Sequence, residues 1–198
     1  MSTATLHPPR TVRSSERLLT VADLAVMPTS LPSGDVRYEL DDGRLVTMAP
    51  PGYFHGRQQT DIAFELKSQA EKEGLGVTCT EASVILRRDP DRVVVPDVMF
   101  ILKDSLPPKL SPEGYLETIP EIVVEVRSKN DTPAEVQSKI GEYLEAGVRE
   151  VWAIDRTAKT IAVHSIDGNV RMLRVGDTLT CGLLPALSMS LNEYYAGV

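Results

Sequence analysis

Cysteine is scarce in this chain, long apolar runs are absent, and basic residues are outnumbered by acidic ones. The two cysteines, Cys79 and Cys181, stand far apart beside threonines, without the close spacing that a metal knuckle or a disulfide scaffold needs. They read as buried thiols in a reducing compartment, so a cytoplasmic location is expected. No stretch nears the roughly 18 consecutive apolar residues of a membrane span, and no membrane partner is expected. Met1 to Glu16 has no apolar centre, which argues against a secretory signal. Its Pro8-Pro9 and its Ser and Thr content predict a flexible tail over 1–19. Net charge is −7, so the basic excess common in nucleic-acid binders is missing from the total. Local patches matter more than the sum. Arg87-Arg88 and Arg92 bracket one candidate patch, although surface solvation explains them equally well. No repeat and no second domain are visible, so 20–198 is expected to be one domain, with 42% hydrophobic residues to build its core.

What is present is a set of strand and helix patterns. Thr20 with Asp23 three residues on opens a short helix. Val36 to Leu40 and Arg44 to Met48, joined by Asp41-Asp42-Gly43, read as an N-terminal β-hairpin. From Phe54 to Glu73 a helix is expected, with Ile62, Leu66 and Ala70 as its apolar stripe; His55 lies on that stripe and should face inward. Strands follow at Val77 to Leu86, Val93 to Leu102 and Ile122 to Val126. Asp131-Thr132-Pro133 supplies a capping residue and a proline for a helix running to Ala146, which Gly147 stops. Further strands are expected at Glu150 to Ile154, Thr160 to Ile166 and Val170 to Val175, with a short helix near Leu191. This order predicts an α/β fold, a mixed sheet flanked by helices.

Two carboxylates interrupt the most apolar of these strands. Asp97 sits in Val93-Val94-Val95-Pro96-Asp97-Val98-Met99-Phe100-Ile101 and Glu125 in Ile122-Val123-Val124-Glu125-Val126. Ionised carboxylates in such places are costly unless paired or bound to a cation. Side by side they would repel, and one pKa would rise unless a cation bridges them. Pro96 cannot donate to a ladder, which implies an edge or bulge just before Asp97, a device that re-aims a side chain. On the next helix Val136, Ile140, Tyr143 and Leu144 form the core stripe, and Lys139 falls on the same inward side. Its ammonium either snorkels to water or meets the two acids. With two strand-end carboxylates to receive it, the second reading is preferred.

As a set, these residues resemble a known family. Pro96-Asp97, a strand ending Glu125-Val126-Arg127-Ser128, Lys139 four residues before Tyr143, and Gly147-Val148-Arg149-Glu150-Val151-Trp152-Ala153-Ile154-Asp155 occur in the order seen in the Uma family of putative restriction endonucleases. The Tyr38-Glu39-Leu40 hairpin, Met48-Ala49-Pro50 and His55 resemble that family's N-terminal part.

The resemblance implies a PD-(D/E)xK restriction-endonuclease-like fold. It implies Mg²⁺ or Mn²⁺ held by Asp97, Glu125 and the Val126 carbonyl, and hydrolysis of DNA with Lys139 as the third catalytic group. It also implies a homodimer, because one small domain does not readily cut both strands. Two positions depart from the pattern. Arg127 stands where the superfamily lysine is usual, and Lys129 follows Ser128 where proline is common, which makes Lys129 a weaker rival to Lys139. Arginine stays protonated and cannot act as a base. Glu39 either completes the acidic site or is a solvated strand residue. His55 contacts phosphate, orients Glu39, or is a hydrogen-bonded core histidine. Tyr143 is expected in the core with its hydroxyl free to orient a site carboxylate. Trp152 and Asp155 are explained by packing and strand termination. A degenerate nuclease fold serving as a binding or assembly module stays open as the alternative.

Overall fold

The computed structural model describes residues 17–32, 34–48, 50–128 and 131–196. Most of the expected N-terminal tail, and Lys129, lie outside the described residues. The chain opens with α1 (Val21–Ala25), two-residue strands β1 (Ser30–Leu31) and β2 (Gly34–Asp35), and the hairpin β3 (Arg37–Asp41) and β4 (Arg44–Met48). Next come α2 (Tyr53–Leu66), prolonged by a π-helical turn at Lys67–Glu71, then β5 (Gly76–Thr80), β6 (Val84–Arg87), β7 (Arg92–Val94) and β8 (Val98–Leu102). The second half contains β9 (Ile122–Val126), α3 (Pro133–Ala146), β10 (Glu150–Asp155), β11 (Thr160–Ser165), β12 (Val170–Arg174), the hairpin β13 (Thr178–Cys181) and β14 (Leu184–Ser190), and α4 (Leu191–Ala196).

Local chemistry accounts for several boundaries. Thr20 and Asp23 form a reciprocal capping box on α1, and Thr132 with Glu135 does the same on α3, where Pro133 occupies the first turn. Gly147 ends α3 at φ 107°, a left-handed conformation that glycine adopts without penalty. Asp42 and Gly43 both have positive φ, the turn that matches the twist of a two-residue hairpin.

The central sheet has six strands in the order β12-β11-β10-β9-β8-β5. Only β9 and β10 run parallel, and α3 makes the crossover between them. A smaller sheet, β4-β3-β7-β6, stands beside it. Alternation along the strands divides the core. Val98, Phe100, Val124, Val126 and Trp152 pack with Ile62 and Leu66 of α2 on one side. Met99, Ile101, Val123 and Val151 pack with Ile140 and Tyr143 of α3 on the other.

Two expected strands each prove to be two. Val77 to Leu86 divides into β5 and β6, and Val93 to Leu102 into β7 and β8, with the halves in different sheets. The cause lies at Val95-Pro96-Asp97. Pro96 has no N–H to give, and the Val95 N–H donates to the Glu39 carboxylate at 2.9 Å instead of to a neighbouring strand. Opposite, Glu81 adopts φ 53° and its N–H donates to the Pro96 carbonyl at 3.1 Å. The long hairpin therefore crosses from one sheet to the other at this point, and Asp97 stands at the corner. The expected end of the second helix at Glu73 is also corrected: regular α-helix stops at Leu66. Among the described residues no helix is long and apolar enough to cross a membrane.

Candidate active site

The antiparallel register of β8 and β9 pairs Val98 with Val124 and Met99 with Val123. One step outward, it sets Asp97 against Glu125. Alternation puts both on the side of Met99 and Val123, the face that α3 covers.

Asp97 is held on three sides. Its Oδ2 accepts from the Val126 N–H at 2.7 Å, its Oδ1 lies 2.9 Å from His55 Nε2, and its carbonyl accepts from Gln59 Nε2 at 2.9 Å. The hydrogen bond to Asp97 raises the His55 pKa against the opposing effect of burial, and the charges of Asp97, Glu125 and Asp131 add to the rise. The imidazole is thereby biased toward its charged form.

Glu125 is held from α3. Tyr143 donates its hydroxyl to Oε1 at 2.6 Å, and Lys139 Nζ lies 3.1 Å from Oε1 and 3.2 Å from Oε2. Lys139 and Tyr143 are four residues apart, which places both heads on one helix face. Burial pushes the Glu125 pKa up to about 7, Asp97 adds to the rise, and Lys139 and the Tyr143 hydrogen bond oppose it. For Lys139 the sign is reversed: burial disfavours its charge, but Glu125 and Glu39 outweigh it and the pKa goes up. Burial, followed by the charge of Glu125, drives the Tyr143 hydroxyl upward too, so it remains a donor.

Glu39 proves to be a buried member of the cluster rather than a solvated strand residue, with 6% of its surface exposed. Its Oε1 is 3.6 Å from Lys139 Nζ and its Oε2 is 3.8 Å from Arg92. Lys139 thus bridges a carboxylate from each sheet. His55 orients Asp97, not Glu39, because α2 enters at the corner where the chain changes sheets.

Two further residues support the cluster, one that the sequence does not single out and one that it places at the surface. Gln59 is buried and follows His55 by one helical turn, a spacing that could have flagged it. Arg92 is also buried, donating to Glu142 at 2.7 Å and to the Leu40 carbonyl at 2.7 Å. Of the two readings of these arginines, the basic patch is not the one that forms. Arg92 is internal, Arg87 is paired with Asp42, and Arg88 donates to Glu117 at 2.6 Å. Arg127, two residues after Glu125, pairs with Asp155 at 2.7 Å.

Among the described residues no three His, Cys, Asp or Glu side chains are grouped as one cation's ligands. Two carboxylates with a main-chain carbonyl nonetheless fit Mg²⁺ or Mn²⁺, which take hard oxygen donors and retain several waters. The reason lies in the geometry: the strand register sets Asp97 against Glu125 in a buried place, where two like charges disfavour each other and a cation between them offsets both. Beside this cluster lies a cavity of about 120 Å³ lined in part by Glu125, Val126, Lys139 and Ile140.

A mixed sheet between helical layers, with acids at the corner of its central strands, defines an α/β protein of nuclease-like fold. The chain belongs to the Uma2 family, described as putative restriction endonuclease, whose model matches residues 22–192. It is similar to the crystal structure of a putative nuclease belonging to DUF820 from Anabaena variabilis, with a TM-score of 0.74 and 16% identity over 90% of this chain and 98% of that one. At that identity the likeness concerns the fold. No curated protein matches the chain.

Proposed function

We propose that the protein is a Mg²⁺- or Mn²⁺-dependent DNA endonuclease acting as a homodimer, with Asp97, Glu125 and Lys139 at its centre. The observation that carries this reading is the Lys139 ammonium 3.1 Å from Glu125, with Asp97 set against Glu125 just before the neighbouring strand. Asp97, Glu125 and the Val126 carbonyl would hold the cation, which when bound offsets phosphate charge and makes a coordinated water more acidic. Lys139 stabilises charge developing on the phosphate and holds the attacking water through its remaining donors. Tyr143 fixes the Glu125 carboxylate, while His55 and the Val126 N–H fix that of Asp97. Gln59 and Glu39 brace the turn from which Asp97 projects.

Plasmid nicking with Mn²⁺ tests the reading, with calorimetric titration of Mn²⁺ in parallel. Asp97→Asn is expected to remove both metal binding and cleavage, whereas Lys139→Met should retain metal and lose cleavage by about 100-fold or more. Cleavage that survives in both variants would sink the proposal.

One observation favours a second reading, a nuclease fold retained for binding. Arg127, at the usual lysine position, is committed to Asp155. Wild-type protein that takes up no Mn²⁺ would select that reading.

A further inference from the structure

A groove of about 790 Å³ begins at His55 and is shaped by the start of α2 and the turn after β10. Its wall carries two aromatic rings facing water, Tyr53 at 75% and Phe54 at 48% exposure, packed edge to face at 5.2 Å. Exposing both rings forgoes apolar burial, and the core explains neither. The Arg156 guanidinium covers one side of Phe54 at 4.0 Å and makes no ion pair among the described residues. Among the described residues lining the groove the single carboxylate, Asp155, is engaged by Arg127, which leaves the Arg156 charge uncompensated by them.

Three further features suit a nucleotide. Helix α2 starts at Gly52 without a side-chain cap, so no side-chain cap occupies its anion-attracting end. Gln58 lines the groove at 1% exposure, and its Nε2 has no hydrogen-bond partner among the described residues. At the inner end, His55 joins the groove to Asp97, while its Nδ1 is buried without a partner among the described residues.

From this we infer that the groove is a subsite for one unpaired nucleotide flanking the scissile phosphate, its base stacked on Phe54 and Arg156 and its phosphate at the start of α2. The inference rests on the nuclease reading and deepens it, making the preferred substrate a strand that carries an unstacked base, as a supercoiled plasmid does locally, rather than a fully stacked linear duplex. Stacking on an aromatic ring tolerates any base, so the subsite selects for strandedness and not for sequence. Arginine beside the ring adds a cation–π contribution.

The test uses the full chain in EDTA, so that binding is read without turnover. Fluorescence anisotropy compares a labelled oligothymidylate of about 12 nucleotides with a blunt duplex of equal length. The oligothymidylate is expected to bind more tightly. Phe54→Ala should weaken it by about 5- to 150-fold, the range for losing one stacked base. Phe54→Tyr, which keeps the ring, should restore it, and duplex binding should not change. Arg156→Ala provides a second surface variant should Phe54→Ala unfold, and it too should weaken the oligothymidylate selectively. Equal binding by wild type and Phe54→Ala overturns the inference, as does an equal loss in Phe54→Tyr or a duplex preference in wild type. Ring-dependent binding without Mn²⁺-dependent cleavage would sink the nuclease reading and leave the subsite standing; cleavage without ring dependence would do the reverse.

Discussion

Lys139→Met removes a cation while keeping most of the side chain's apolar stem. The ammonium lies 3.1 Å from Glu125 and 3.6 Å from Glu39, with 26% of the lysine side chain exposed against 16% and 8% for the two acids. At an effective dielectric of about 20, attraction to the nearer acid alone is roughly 5 kcal/mol before desolvation is subtracted. Removing one member of a buried pair costs about 3–5 kcal/mol. The partial exposure of Lys139 points to the lower end, about 3 kcal/mol at pH 8.

The pH dependence follows from the signs of the shifts. The Lys139 pKa is raised in the folded state, so its contribution is complete below the unfolded lysine value and is lost only as pH rises through the still higher folded one. Across pH 6 to 8 it is therefore fully charged. Glu125, pushed up to about 7, can instead take a proton in that window. Without Lys139 its pKa rises further, so at pH 6 the variant escapes part of the penalty by protonation. Urea unfolding of both proteins in EDTA at pH 6 and pH 8 measures this. The expected destabilisation is about 3 kcal/mol at pH 8 and clearly smaller at pH 6. A loss below about 0.5 kcal/mol at both pH values, the usual scale for a surface substitution, would show that the ammonium sits in water and not between the acids.

Other consequences can be checked directly. Because protons compete for Glu125, Mn²⁺ affinity should fall about tenfold between pH 8 and pH 6, with close to one proton released per ion at the lower pH; calorimetry in buffers of different ionisation enthalpy reads both. Tyr143→Phe removes a hydrogen bond that lowers the Glu125 pKa, so the midpoint of that pH dependence should move upward, with about 1–3 kcal/mol of stability lost in urea unfolding. Gly76→Ala should lower the melting temperature and cost about 1–3 kcal/mol, because a methyl group there meets the Ile101 carbonyl and lies 2.7 Å from the Phe100 ring.

Much of this arrangement could be read from local pattern. The cap and proline at Thr132-Pro133, the stop at Gly147 and the Asp42-Gly43 turn depend on chemistry within a few residues, and all three appear in the structure. The helical phase that set Lys139 and Tyr143 on one face is equally local, and it brings both to Glu125. The division of Val93 to Leu102 was harder to see. Pro96 signalled an interruption, but a bulge within one sheet and a crossing between two sheets look alike in sequence. Arg92 is a different case. Among arginines beside a strand nothing local marks the one that goes inside, because its partner Glu142 lies 50 residues away.

The sequence by itself determined the elements, the two acids embedded in apolar strands and the inward phase of the third helix, because hydrophobic period and capping act over short spans of chain. Tertiary structure alone decided which carboxylates share the lysine. Glu39 reaches it only because Val95 spends its N–H on that acid and turns the chain from one sheet to the other. Long-range charge pairing leaves no periodic trace. It exists only once burial has made an unpaired charge too costly to leave alone.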